Sequence, residues 1–281
     1  MEKAAQKISS LEPCLKSLIE DLKKQAIGIL IYGSYLSERE RAKDVDLLVI
    51  TDGGFRYYRR LKLKGFSLPI EIEYMPCQSL EFFLTRYYWW PYNWELEIGK
   101  YVHGCVLYDP KGVIRSFVRR VAKMPPHIWL YLFVHRTGRC VHHIEKMHKL
   151  VDDHIGQSLF FLDFLRDVTM LRLLVIEKYP STAMIHNDLD HRFRTYLLNL
   201  IAHPDVDRCE ELIKNLVDES REKIYNCLQA NKYSIPIYYI EDIKGVMFIR
   251  NMLGYRIKML RSPSDIVTNP LGGWKNHEYV W

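Results

Sequence analysis

The sequence predicts an α+β fold in which a sheet-bearing first half gives way to an α-helical bundle. Three observations carry this. Helix-like and strand-like segments alternate as far as Lys123, the triplet Met124-Pro125-Pro126 interrupts the chain, and the segments beyond it repeat apolar residues every three or four positions. The expected domains are therefore residues 1–124, residues 125–262 and a C-terminal tail, residues 263–281.

In chain order, Leu11–Gln25 carries Leu11, Leu15, Leu18, Ile19 and Leu22 at helical spacing with lysines at its end. Ala26–Tyr32 is then a short apolar, β-branched run ending at Gly33, and Val45–Thr51 is a second buried strand closed by Asp52-Gly53-Gly54. Tyr57–Lys64 and Leu68–Tyr74 supply two more strands with alternating polarity. A helix over Ser79–Tyr88, a strand near Val102–Tyr108 and a helix over Lys111–Lys123 complete a sheet with helices packed on one side. The second half predicts helices over His127–Leu150, Ser158–Tyr179, Asp190–Ala202 and Cys209–Leu228, and a last one over Val246–Leu260. In the second of these, Leu159, Phe160, Leu162, Phe164 and Leu165 are expected in the core, and Asp188 and Asp190 are expected to cap the helix that follows.

Composition narrows the function classes. A chain of 281 residues with 48% apolar content has ample material for a core. Its apolar runs fall far short of the ~20 residues a bilayer needs, and no signal-like segment opens it, so a cytoplasmic protein without a membrane partner is expected. Six scattered cysteines without a CxxC pair predict reduced thiols. The net charge of +6 is concentrated early, with 20 Lys/Arg against 15 Asp/Glu up to Met124 and 20 against 19 after it. That suits an anionic ligand on the first half, and equally simple solubility.

The chemistry concentrates in one constellation. Ile31-Tyr32-Gly33-Ser34 delivers a buried strand into a turn where a glycine lets the backbone approach a phosphate and a serine hydroxyl can donate to it. After a nine-residue interval comes Asp44-Val45-Asp46-Leu47. Strand alternation puts Asp44 and Asp46 on one face with Val45 and Leu47 toward the core. Two such carboxylates beside bound phosphates suit Mg²⁺ or Mn²⁺, hard ions that take oxygen ligands. A further acid is expected from Pro69-Ile70-Glu71-Ile72-Glu73. Glu71 is preferred because it lies mid-strand, with Glu73 a substitute nearer the Tyr74-Met75-Pro76 exit.

These residues resemble the signature of the DNA polymerase β-type nucleotidyltransferase superfamily, in which Gly-Ser is followed by Asp-apolar-Asp and a later strand acid. The stretches YGSYLSERERAKDVDLLVI and IEIEY carry the likeness over about fifty residues. The resemblance implies a mixed-sheet catalytic domain, and the helical half that follows is similar in order to the aminoglycoside and lincosamide nucleotidyltransferases. It implies transfer of a nucleoside monophosphate from an NTP, ATP foremost, to a hydroxyl of a small-molecule acceptor with release of pyrophosphate. On this likeness Gly33, Ser34 and Lys43 bind the nucleotide, and Asp44, Asp46 and Glu71 are the catalytic, metal-holding acids. The chain departs from the pattern at Leu36, Ser37 and Glu38, where many members have a further small residue; Glu38 and Glu40 are expected to face solvent, with Arg39, Arg41 or Lys43 complementing the phosphates.

Alternatives within the superfamily are protein adenylylation and RNA 3′-end extension, and a rival of another class is a non-catalytic nucleotide- or RNA-binding module. The basic cluster Arg56, Arg59, Arg60, Lys62 and Lys64, interleaved with Tyr57 and Tyr58, keeps a nucleic-acid partner open, although a charged edge strand explains it as well. The aromatic run Tyr87–Trp94 suits either an acceptor cleft or packing between domains. His142, His143, His148, Asp152 and His154 lack zinc-ligand spacing. A homo-oligomer is compatible with all of this.

Overall fold

The computed structural model describes residues 12–37, 39–85, 94–180 and 188–230, together with 238–243, 246–251 and 256–259. The chain divides into two compact units, Met1–Lys123 with Tyr179–Ile185, and Met124–Lys178 with His186–Trp281.

Unit one is built on a mixed five-stranded sheet in the order β3-β4-β2-β1-β5, from β1 (Gly28–Tyr32), β2 (Val45–Thr51), β3 (Tyr57–Leu61), β4 (Ile70–Pro76) and β5 (Cys105–Tyr108). Only β2 and β4 run parallel; the other neighbours are antiparallel. Helix α1 (Pro13–Lys23) starts with proline at its first turn, where a missing N–H is harmless, and buries Leu15, Ile19 and Leu22. Those three pack with Ile29, Ile31, Val45, Leu47, Val49, Ile70, Ile72 and Tyr74, which share one face of the sheet.

The opposite face is covered as well, which corrects the expectation of helices on one side only. It meets α3 (Gln78–Thr85), α4 (Trp94–His103) and α5 (Val113–Val121), after the single-turn α2 (Ser34–Ser37). Tyr101 hydrogen-bonds the Met75 sulfur at 2.9 Å, and its ring meets Phe83 and Phe117 edge-on. The reason is legible in β1 and β2, whose side chains are buried almost throughout, so that both faces need cover. Trp94 opens α4 and donates from Nε1 to the Phe83 carbonyl at 2.7 Å. The rest of the aromatic run, residues 87–93, lies outside the described residues. Tyr179 and Pro180 return to this unit: the Tyr179 hydroxyl donates to the Val121 carbonyl at 2.8 Å, and the Pro180 carbonyl fills the space beside Gly99.

Unit two is helical for most of its described length: α6 (Pro126–Lys149), α7 (His154–Val175), α8 (His191–Ala202), α9 (Val206–Glu219) and α10 (Arg221–Ala230). The single expected helix over Cys209–Leu228 is two, broken at Ser220. Helix α6 is buried on nearly every side and pairs with α7, α9 and α10. Asp167 of α7 is buried against it, accepting from Arg136 and Arg139 at 2.7 Å each and lying 3.0 Å from His143. Asp190 caps α8 by accepting from the Phe193 N–H at 2.9 Å, as its position suggested.

Two expectations fail here. Leu159 and Leu162, assigned to the core, are exposed, because only the other side of α7, with Phe164, Val168 and Leu171, faces α6. The last expected helix, Val246–Leu260, is replaced by strands β7 (Val246–Asn251) and β8 (Arg256–Met259), which with β6 (Tyr238–Ile243) form an antiparallel sheet. The β-branched Val246, Ile249 and Ile257 favour the extended chain. The tail, residues 263–281, lies outside the described residues.

Candidate active site

The site forms on the face of the sheet opposite α1, at the end of β1 and the start of β2. Tyr32 closes β1 in register with Asp46, and Asp46 lies beside Glu71 across the parallel β2–β4 pair. Asp44 precedes β2 at a bend and is half-buried. Residue alternation, as the sequence predicts, turns Asp46 and Glu71 away from Val45, Leu47 and Ile72.

Gly33 is required here for two reasons. Its φ of +79° lies in the left-handed region, and a Cβ on it would overlap the Asp46 carboxylate. The glycine turn is thus laid directly against the acid. Ser34 follows at the start of α2; the Leu36 N–H donates to the Gly33 carbonyl at 3.2 Å, which tightens the turn.

Burial, then the nearby charges of Asp44 and Glu71, push the Asp46 carboxyl up to about 6. Lys100 of α4 opposes this without cancelling it. Three carboxyls therefore converge electrostatically on one place. Among the described residues, however, no group of three His, Cys, Asp or Glu side chains stands as a ready-made metal cluster. Asp46 and Glu71 form a cross-strand pair with Asp44 approaching from the bend. A hard divalent ion bound by carboxylates and completed by substrate phosphates suits such a set: its donors are oxygens, and its repulsion is what a cation relieves.

Glu73 has a different environment. It is fully buried and accepts from Arg56 Nε at 2.6 Å, Tyr58 Oη at 3.0 Å, Lys100 Nζ at 3.0 Å and Tyr32 Oη at 3.4 Å. Glu97 closes the network, 3.0 Å from Arg56 and 3.1 Å from Lys100. Burial pulls Lys100 down, but Glu97 and Glu73 outweigh it and hold its pKa above the ordinary value. Two anions and two cations thus balance each other, and Glu73 is committed to them. Glu71, by contrast, is partly exposed, with Arg60 Nε at 3.5 Å.

Of the other residues marked by sequence, Lys43 and Glu40 are exposed, and Glu38 lies outside the described residues. Arg39 pairs with Glu12 at 3.1 Å and covers the Tyr35 ring. The basic cluster lies on and beside β3, an edge strand, with Arg59 and Arg60 on it, Arg56 just before it and Lys62 and Lys64 after it. Arg56, Tyr58 and Arg60 reach the carboxylate face, whereas Tyr57 stacks on Tyr74 on the other. Of the histidines that lack zinc-ligand spacing, His143 lies against Asp167 and His148 lies 2.9 Å from Glu210. Sequence reasoning missed Lys100 and Tyr32. The Glu97/Lys100 spacing on an amphipathic helix was the available signal for the first.

Fold and site together define an α+β protein with a glycine-serine turn seated on a carboxylate pair. A solved structure of a nucleotidyltransferase-like protein from Exiguobacterium sibiricum 255-15 is similar, with a TM-score of 0.49 and 11% identity, covering 81% of this chain and 81% of that one. No protein-family model matches the sequence, and no curated protein matches it. No helix among the described residues is long and apolar enough to cross a membrane.

Proposed function

We propose that the chain is a nucleotidyltransferase that moves a nucleoside monophosphate from an NTP to a hydroxyl of an acceptor, releasing pyrophosphate, with a small molecule the favoured acceptor. The observation that carries this reading is the seating of Gly33, at positive φ, on the carboxylate of Asp46, with Glu71 in register beside it. A backbone turn without a side chain admits phosphate oxygens closely, and adjacent carboxylates would repel them unless a divalent cation lay between.

Asp44, Asp46 and Glu71 are the residues that would hold Mg²⁺, which supplies charge neutralisation for the phosphates and acidity for an attacking hydroxyl. Gly33 and Ser34 offer backbone and hydroxyl donors to the triphosphate. Lys43, exposed nearby in sequence, is available to pair with it. In this reading Glu71 would accept a proton from the acceptor hydroxyl, while Glu73 holds Arg56 and Lys100 in place. Catalysis in this scheme is mostly positioning and electrostatics.

Calorimetric titration of ATP, GTP, CTP and UTP into the protein, with and without Mg²⁺ and repeated on Asp46→Asn, tests the reading. Metal-dependent binding of a triphosphate that the substitution abolishes supports it and names the base. If no triphosphate binds, the reading falls. Binding that ignores both metal and substitution points instead to the non-catalytic nucleotide- or RNA-binding module.

A further inference from the structure

The sheet gives the site a direction. Across the carboxylate face the Gly33 turn ends β1, Asp46 stands on β2, Glu71 on β4 and Arg60 on β3, each on the strand next to the last. Neighbouring strands lie about 4.8 Å apart, so these groups succeed one another in a row. With the triphosphate at the Gly33 turn, pyrophosphate leaves on the β1 side, and a hydroxyl attacking in line enters from the β4–β3 side.

The chain on that side carries one sign of charge. From Phe55 to Lys64 there are five basic residues and no acidic one, against a net charge of +6 for all 281 residues. Two of the five are engaged elsewhere, Arg56 by Glu73 and Glu97, and Arg59 by Tyr74 on the opposite face. Arg60 touches Glu71 with Nε at 3.5 Å and its side chain is 67% exposed. A guanidinium has five N–H donors, so one such contact leaves it able to hold another anion. Lys62, exposed between Leu61 and Leu63, which pack on the core, and Lys64 have no ion-pair partner among the described residues.

Tyr58 adds a flat surface. Its hydroxyl donates to Glu73 at 3.0 Å and accepts from Arg56 at 2.8 Å, while the residue is 64% exposed. The ring is fixed and open at once, and a ring laid on it costs little further side-chain freedom. Charge on an edge strand guards against pairing with another chain, which accounts for the lysines. It does not account for an exposed tyrosine anchored on the carboxylate face beside Arg60.

We propose that the acceptor is a small anionic molecule whose phosphate or carboxylate group is held by Arg60 and whose flat part lies on Tyr58, with its hydroxyl at Glu71. The proposal rests on the nucleotidyltransferase reading and adds the class of acceptor to it. In the transfer the acceptor oxygen bonds the α-phosphorus, the bond to the departing pyrophosphate breaks, and the hydroxyl proton passes to Glu71. A cationic acceptor meets like charge on this side and is turned away.

The test is calorimetry on the full chain loaded with Mg²⁺ and a non-hydrolysable ATP analogue, with phenyl phosphate, benzyl alcohol and benzylammonium as anionic, neutral and cationic probes. Phenyl phosphate is expected to bind about tenfold or more tightly than the other two, and Arg60→Gln to weaken it about tenfold, the loss of one charge-assisted pair, with binding of the analogue unchanged. Arg59→Gln removes the same charge from the opposite face and is expected to change phenyl phosphate binding by less than about twofold. Equal losses from the two substitutions describe a charged edge that draws any polyanion, RNA included, and overturn the proposal. So does a loaded chain that takes up no phenyl phosphate or ranks the probes without regard to charge. An Arg60→Gln chain that no longer takes the analogue also overturns it, by assigning Arg60 to the nucleotide. If the native chain does not load at all, the transferase reading is what fails, and the acceptor class falls with it.

Discussion

Replacing Asp46 by asparagine should stabilise the protein above neutral pH. The carboxyl is raised from 3.8 to about 6, by burial first and then by Asp44 and Glu71. A carboxyl raised in the folded state contributes its full stability below its unfolded value near 3.8, and that contribution is lost as pH rises through about 6. At 1.36 kcal/mol per unit the shift corresponds to about 3 kcal/mol. The side chain still borders solvent, and screening reduces this to about 1–2 kcal/mol. Asp46→Asn, which removes the charge and keeps the shape, should thus melt higher at pH 8 by about 2–4 °C for each kcal/mol recovered. Its advantage should shrink steadily toward pH 4.5. The assay is a set of thermal melts of both proteins, without metal or nucleotide, at half-unit pH steps. An advantage that does not change with pH, or an asparagine variant less stable at pH 8, would refute the crowding of charge on which the site argument depends.

Three further outcomes follow from the same geometry. Gly33→Ala should cost about 2 kcal/mol or more, from left-handed strain plus overlap with the Asp46 carboxylate; adding Asp46→Ala should recover part of it, and a double-mutant cycle of melting temperatures measures the coupling. Glu73→Gln should cost about 3–5 kcal/mol because it leaves buried Arg56 and Lys100 short of a counter-charge, whereas Glu71→Gln should change stability by under about 0.5 kcal/mol and abolish transfer; urea denaturation beside an activity assay separates the two acids. His135, fully buried on α6, is pushed down to about 3 by desolvation and the neighbouring arginines, so its contribution is full above pH 6.5 and is lost as pH falls toward 3. Between pH 6.5 and 5 the native chain should lose about 2 kcal/mol on this account, and His135→Phe should flatten that slope in pH-dependent melts.

The site was legible where short-range pattern decides geometry. Alternation along a strand is fixed at two residues, so Asp46 had to point away from Val45 and Leu47, and a glycine after a buried strand marks a turn. The choice between Glu71 and Glu73 was not legible in that way. Both share a face, and their difference arises from Arg56, Tyr58 and Lys100, which reach Glu73 from two other segments. A residue such as Lys100, brought in by a helix that follows an aromatic run, could be placed only by packing.

The same division holds for the fold. Sequence by itself determined that strands and helices alternate up to Lys123, that helices dominate afterwards, and that Gly33 closes one strand shortly before Asp44 and Asp46 open the next, because each of these rests on local periodicity and spacing; Glu71 is set beside Asp46 by the pairing of β2 with β4. Tertiary structure decided the rest. Helical spacing makes Leu159 and Phe164 look alike, and only the position of α6 buries one and exposes the other. A short apolar run such as Val246–Asn251 satisfies helix or strand by composition, and the pairing with β6 and β8 is what makes it a strand. Burial and pairing are properties of segments distant in the chain, and so they emerge only when the chain has folded.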